Sequence, residues 1–144
     1  MDYAISSHMT QCPHTIGRTQ TLAIAHELML KHDIRHLPVL DGGKVVGILS
    51  ERDLLLLETF KGIDSGKVTV EEAMVPEPFV ASPSAPAGEI CRLMAKHKYG
   101  SVIVEEHGKI VGIFTAIDAL RILAGEASHP HKAGDGPRVR EVAP

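Results

Sequence analysis

Two stretches place a hydroxyl, and three residues on a carboxylate, just beyond an apolar run. They are Gly47-Ile48-Leu49-Ser50-Glu51-Arg52-Asp53 and Gly112-Ile113-Phe114-Thr115-Ala116-Ile117-Asp118. Where such a run is a strand and the next stretch a helix, the helix mouth offers unpaired N–H groups and a positive dipole end, which suit a phosphate. The hydroxyl of Ser50 or Thr115 can donate to phosphate oxygens. The carboxylate of Asp53 or Asp118, one turn in, can accept both hydroxyls of a ribose. Glycine at 47 and 112 lets a ligand come close to the backbone. The same residue types also serve a purely structural end. Ser/Thr-x-x-Asp is close to a capping box, in which both side chains satisfy free N–H groups at a helix start. The residues alone leave both uses open.

The two stretches are parts of a longer duplication. Residues 9–59 overlay 74–124 without a gap, at an offset of 65. Met9 falls on Met74, Pro13 on Pro78, Met29 on Met94, and His32 on His97. Gly43-Lys44 and Val46-Gly47-Ile48 fall on Gly108-Lys109 and Val111-Gly112-Ile113, and Asp53 on Asp118. Two copies are too few for a solenoid. One half is marginal alone because small units bury too little surface. The duplication therefore predicts a pseudo-twofold domain whose halves share a buried face.

Within the first copy, Met9 to Pro13 reads as an entry turn with a short extended piece. Thr19 or Thr21 caps a helix running to about Lys31, with Leu22, Ala25, Leu28 and Met29 on one face. Ile34 to Leu40 is a strand, placed near an edge because Pro38 cannot donate to a ladder. Asp41-Gly42-Gly43 is a hairpin turn. Lys44 to Leu49 returns, and Ser50 opens a helix to about Phe60. The second copy repeats this order, with a helix over 87–97, strands from Ser101 and Lys109, and a helix from Thr115 to about Ala124. Each copy reads β-α-β-β-α, an α/β (α+β) fold. The expected division is 1–66 for the first repeat with its leading segment, 67–125 for the second, and 126–144 for a mobile tail rich in Gly, Pro, His and charge.

In this order and twice over, the motifs resemble a tandem pair of cystathionine-β-synthase (CBS) domains, a Bateman module. The matching residues are Met9-Thr10…Pro13, Ile34-Arg35-His36-Leu37-Pro38-Val39, Gly43 to Ile48 and Ser50…Asp53. In the second copy they are Met74…Pro78, Gly100 to Val104, Gly108 to Ile113 and Thr115…Asp118. The resemblance covers about residues 9–124. It implies a disc-like module with two clefts between the sheets that bind AMP, ADP, ATP, S-adenosylmethionine, NAD or related adenosyl ligands. It assigns ribose contacts to Asp53 and Asp118, and phosphate contacts to Ser50, Thr115, Arg35 and His36. The adenine wall falls to His14-Thr15-Ile16 and Phe79-Val80-Ala81, beside Gly47 and Gly112. It also implies a homodimer formed through the helices that follow Ser50 and Thr115. Leu54-Leu55-Leu56-Leu57 suits this, because a helix apolar all round must be covered on several sides.

The copies are not equal. Arg35, His36, Glu51 and Arg52 meet Gly100, Ser101, Ala116 and Ile117. Arg35 favours an anion at the first junction and Glu51 opposes one, which leaves both clefts as candidates.

Composition narrows the classes further. The 144 residues are 44% hydrophobic, 23% charged and 3% aromatic, so the chain is globular with an aliphatic core. A net charge of −3 gives no general attraction to nucleic acid or anionic membrane. No run is long enough to cross a bilayer, and no signal peptide is evident. Cys12 and Cys91 match no zinc or redox spacing and are expected to be reduced, with at least one buried, in a cytoplasmic protein. The nine histidines are scattered without acidic or Cys partners at ligand spacing, which predicts no metal site. There is no Gly-x-Ser-x-Gly elbow and no Walker loop. The residues thus predict no catalysis and no required cofactor. The resemblance implies a stand-alone regulatory sensor acting on an unidentified effector protein, or a dimerisation scaffold with degenerate, empty clefts.

Overall fold

The computed structural model describes residues 3–126 and 131–132. The expected mobile tail lies outside the described residues apart from Glu126 and a short strand at 131–132. In chain order the elements are β1 (Thr10–Gln11), β2 (Ile16–Gly17), α1 (Leu22–His32), β3 (His36–Asp41), β4 (Lys44–Ser50) and α2 (Glu51–Glu58). There follow α3 (Val70–Ala73), β5 (Val75–Pro76), β6 (Val80–Ala81), α4 (Ala87–His97), β7 (Ser101–Glu106), β8 (Lys109–Thr115), α5 (Ala116–Leu123) and β9 (His131–Lys132).

Local chemistry accounts for most boundaries. Thr21 caps α1 by accepting the Ile24 amide at 3.3 Å, and Ser50 caps α2 by accepting the Asp53 amide at 3.1 Å. Helices α1 and α4 end on left-handed residues, Asp33 and Lys98, with basic residues in the last turn. Both hairpins use a two-residue loop at positive φ, Gly42-Gly43 and His107-Gly108. That backbone matches the twist of the flanking strands.

The two sheets are built reciprocally. One has the order β2-β3-β4-β5 and the other β6-β7-β8-β1-β9. Strand β5, which precedes the second repeat, pairs with β4 of the first, Gly47 opposite Pro76. Strand β1, which precedes the first repeat, pairs with β8 of the second, Gln11 opposite Gly112. The segments just upstream cross over in the same way. The Leu22 amide donates to Val68 O at 2.9 Å, and its counterpart, the Ala87 amide, donates to Tyr3 O at 2.6 Å. The core divides accordingly. Val68, Val70, Ala73 and Met74 join the cluster around Leu22, Met29, Leu37 and Leu54. Ile5 and Met9 join the cluster around Ile90, Met94, Val102 and Phe114. The sequence division at 66/67 is therefore not the division of the core. It also hides α3, which a Thr69–Glu72 capping box starts.

Glycines 47 and 112 are where the exchanged segments cross the sheets. A Cβ on Gly47 would lie 2.9 Å from both Met74 Cγ and Val75 O. A Cβ on Gly112 would lie 3.0 Å from Met9 Cγ and from Thr10 O. Each glycine admits the methionine that leads the other repeat, so the duplicated Met and Gly are one interlock used twice.

Two expectations need correction. Strand β3 lies between β2 and β4 rather than at an edge, and Pro38 is buried. Proline is accommodated because β2 begins opposite Val39, leaving no strand residue beside Pro38 on that side. Neither cysteine is buried. Cys12 is exposed and Cys91 half-buried, with partial desolvation pushing the Cys91 thiol above its ordinary range despite Arg92 nearby.

Candidate functional site

At the carboxyl end of β4 the first repeat opens a cleft of about 590 Å³, lined by Arg35, His36, Ser50, Glu51, Arg52, Leu55, Leu56 and Thr59. This size falls within the roughly 300–1,000 Å³ usual for small-ligand sites. The sheet and the helix each supply part of it. The Arg35 carbonyl accepts the Glu51 amide at 2.8 Å, which fixes the start of α2 against the start of β3. Residues 52, 55, 56 and 59 then fall on one helical face. Helical spacing from Arg52 signals this wall, although sequence reasoning assigned Leu55, Leu56 and Thr59 no site role.

His36 sits at the seam between the repeats. A Cβ on Gly100 would stand 3.1 Å from its Nε2. Burial lowers the His36 pKa from the ordinary 6.5, and Arg35 lowers it further, while Asp53 and Glu51 oppose both effects. Asp53 is half-buried and does not line this cleft.

The second junction is built differently. Asp118 is 2% exposed. Its Oδ2 accepts the Thr115 amide at 2.9 Å and the Thr115 hydroxyl at 3.2 Å, while the Asp118 amide is 3.3 Å from Thr115 Oγ1. Arg121 stands 3.5 Å from Oδ1. This is a full capping box, whereas at the first junction Ser50 caps without a returning carboxylate.

The sequence-assigned residues therefore divide. Arg35, His36 and Ser50 meet in one cleft, which Asp53 does not line. Asp118 and Thr115 engage each other. Gly47 and Gly112 face methionines, not open space. Ile16 lies in the first core. His14 stacks on His32 with ring centroids 3.7 Å apart, and Thr15 is half-buried between His14 and Ile16. Phe79 packs against the second core and lies 5.4 Å from the Tyr99 ring. Ala81 packs against the same core. Val80 lines a different cleft, of about 610 Å³, between the two hairpin tips. Among the described residues, no three His, Cys, Asp or Glu side chains group as metal ligands. No described helix is long and apolar enough to cross a membrane.

The family model for the CBS domain matches the chain twice, over residues 4–58 and 70–125. The chain belongs to the CBS domain family. Both matches begin within the exchanged leading segments. The chain is 30% identical over 110 residues to the CBS domain-containing protein YhcV of Bacillus subtilis, covering 76% of this chain and 78% of that one. It also matches an L-aspartate semialdehyde sulfurtransferase of Methanocaldococcus jannaschii (29%) and an inosine-5'-monophosphate dehydrogenase of Korarchaeum cryptofilum (30%). It covers 82% and 84% of its own length in those matches but spans only 23% and 24% of theirs. Among solved structures, the CBS pair of protein MJ0100 bound to 5-methylthioadenosine and S-adenosyl-L-methionine superposes with a TM-score of 0.77 at 27% identity, covering 87% of this chain and 98% of that one. CBSX2 of Arabidopsis thaliana in complex with AMP superposes at 0.73 and 28%, covering 85% and 97%.

Proposed function

We propose that this CBS pair is a regulatory module that binds an adenosyl ligand and passes its presence on by a change of shape. The carrying observation is the cleft at the mouth of α2, where Ser50, Arg35, His36 and Arg52 converge. The AMP and S-adenosylmethionine complexes of the structural relatives support an adenosine-containing occupant. Asp53 takes the ribose hydroxyls, and Ser50 with the Arg35 guanidinium takes the anionic end. The residues supply binding groups, and the module acts by binding. A ligand here touches β3, β4 and α2 and lies next to the seam at Gly100. It shifts the angle between repeats to the extent that it binds one arrangement more tightly.

The helices that follow the two junctions supply the output surface. Leu55, Leu56 and Phe60 from α2 and its end, and Ile117, Leu120 and Leu123 from α5, are large apolar side chains left 43% to 78% exposed. A second copy of the chain, in the cytoplasm, is the proposed cover for these exposed side chains. The receiving effector protein is unassigned.

A thermal-shift series with AMP, ADP, ATP, S-adenosylmethionine and NAD tests the reading. A binder at 100-fold excess over its Kd gains about 2.7 kcal/mol. No shift with any of the five at millimolar concentration contradicts ligand binding. The closed capping box at Asp118 favours a second reading, a dimer scaffold without ligand, which predicts that flat result together with an intact dimer.

A further inference from the structure

The two sheets end differently at the strands that cross between repeats. Strand β1 is flanked by β8 and β9, whereas among the described residues no strand lies beyond β5. In other respects β1 and β5 are copies. Thr10–Gln11 and Val75–Pro76 lie 65 residues apart and pair alike, Gln11 opposite Gly112 and Pro76 opposite Gly47. Backbone direction explains the difference. In an antiparallel pair, alternate residues bond to the partner strand and those between them face away. The Cys12 amide donates to Val111 O at 3.3 Å, so Thr10 shares that side and Gln11 turns its N–H and C=O to the outer edge. The same position in β5 is Pro76, which has no N–H to offer. Proline is one way to blunt a sheet edge, and a covering element is another. Strand β5 uses the first and β1 the second. Strand β9 runs parallel to β1, with Thr10 beside His131 and Gln11 beside Lys132. Exposure follows the same division, since Thr10 and Gln11 are half-buried while Val75 and Pro76 are exposed.

We infer that the outer edge of β1 is a strand-addition site for an extended polypeptide, and that its occupant is the segment around His131–Lys132 of the same chain. Such sites bind through main-chain hydrogen bonds. The occupant is tethered to α5, which ends at Leu123, so it meets the edge at high effective concentration. The contact holds the segment that links the repeats. Strand β1 follows Ile5 and Met9, which belong to the second core, and the Met9 side chain packs against Gly112. The end of the chain thus ties down its beginning where the leading segment enters the sheet of the other repeat. This role is independent of what the cleft at the mouth of α2 binds.

Residue-resolved amide exchange of the full-length protein, followed by NMR, tests this. The Gln11 amide is the reporter, because β8 does not use it. The Cys12 amide, bonded to Val111, is the internal control. Gln11 should be protected in the native protein. The double substitution His131→Pro with Lys132→Pro removes both amide donors of β9. It should speed Gln11 exchange about tenfold or more and leave Cys12 within about twofold, which also shows that the variant stays folded. Protection of Gln11 in the native protein should hold over about a hundredfold dilution, since a contact within one chain does not depend on concentration. An unprotected Gln11 amide in the native protein, or one equally protected in the double variant, overturns the strand-addition site. Protection that fades on dilution assigns the added strand to a second copy and overturns its assignment to the same chain.

Discussion

Gly47→Ala probes the interlock that fixes the geometry of the site. The added methyl would sit 2.9 Å from Met74 Cγ and 2.9 Å from Val75 O. Methionine is flexible and can swing aside. The carbonyl cannot, because Val75 lies in the β4–β5 ladder opposite Ile48. Relief requires a backbone shift in β5 or β4, and overpacking of this kind costs about 1–3 kcal/mol. For a domain of this size that is a fall in Tm of roughly 4–12 °C. Urea or thermal unfolding followed by far-UV circular dichroism measures it. Met74→Ala leaves a void and costs about 2 kcal/mol, near the low end for this change because Met74 is only half-buried. In the double variant part of the clash is gone, so its loss should fall short of the sum by about 1 kcal/mol or more. Gly112→Ala against Met9 should behave alike. A Gly47→Ala protein within about 0.5 kcal/mol of the parent, or strict additivity with Met74→Ala, would refute the reciprocal packing.

Three further outcomes follow from the same geometry. Asp118→Ala should cost about 1–3 kcal/mol in urea unfolding, since it strips a buried capping network, whereas Asp53→Ala should stay within about 0.5 kcal/mol. Burial lowers the His14 pKa below the ordinary 6.5, and His32 and Lys31 lower it further. A depressed base favours the folded state fully above pH 6.5, and that contribution is lost as pH falls through the folded-state value. Unfolding free energy should thus decline below pH 6.5, and His14→Phe, the residue type of the second repeat at this position, should flatten the decline. His36, shifted the same way, keeps the remainder. Leu120→Glu with Leu123→Glu should convert a dimer to a folded monomer by light scattering, because these side chains are 57% and 78% exposed and support no core. A dimer that survives both changes places the interface elsewhere.

Local chemistry made much of the fold readable in advance. Thr21 and Ser50 announce helix starts, Gly42-Gly43 and His107-Gly108 announce hairpins, and the duplication announces the pseudo-twofold. The exchange of leading segments was not readable, because pairing of β1 with β8 and β5 with β4 links residues far apart in sequence, and no local pattern encodes it. The duplicated Met and Gly were visible, but nothing local says that each glycine admits the methionine of the other repeat. Arg35, His36 and Ser50, to which the resemblance assigns phosphate contacts, line one cleft, while Ile16 lies in the first core and Gly47 and Gly112 face methionines. The closure of Asp118 did leave a signal. Arg121 lies three residues beyond it, a spacing at which helical side chains meet, and the matching residue after Asp53 is Leu56.

Hydrogen–deuterium exchange of the native protein with and without saturating AMP tests the central claim most directly. Slower exchange confined to peptides covering Arg35–His36 and Ser50–Leu56, with those covering Thr115–Ile122 unchanged, is the result predicted. Protection centred on Thr115–Ile122, or no protection in either region despite measured binding, would contradict it.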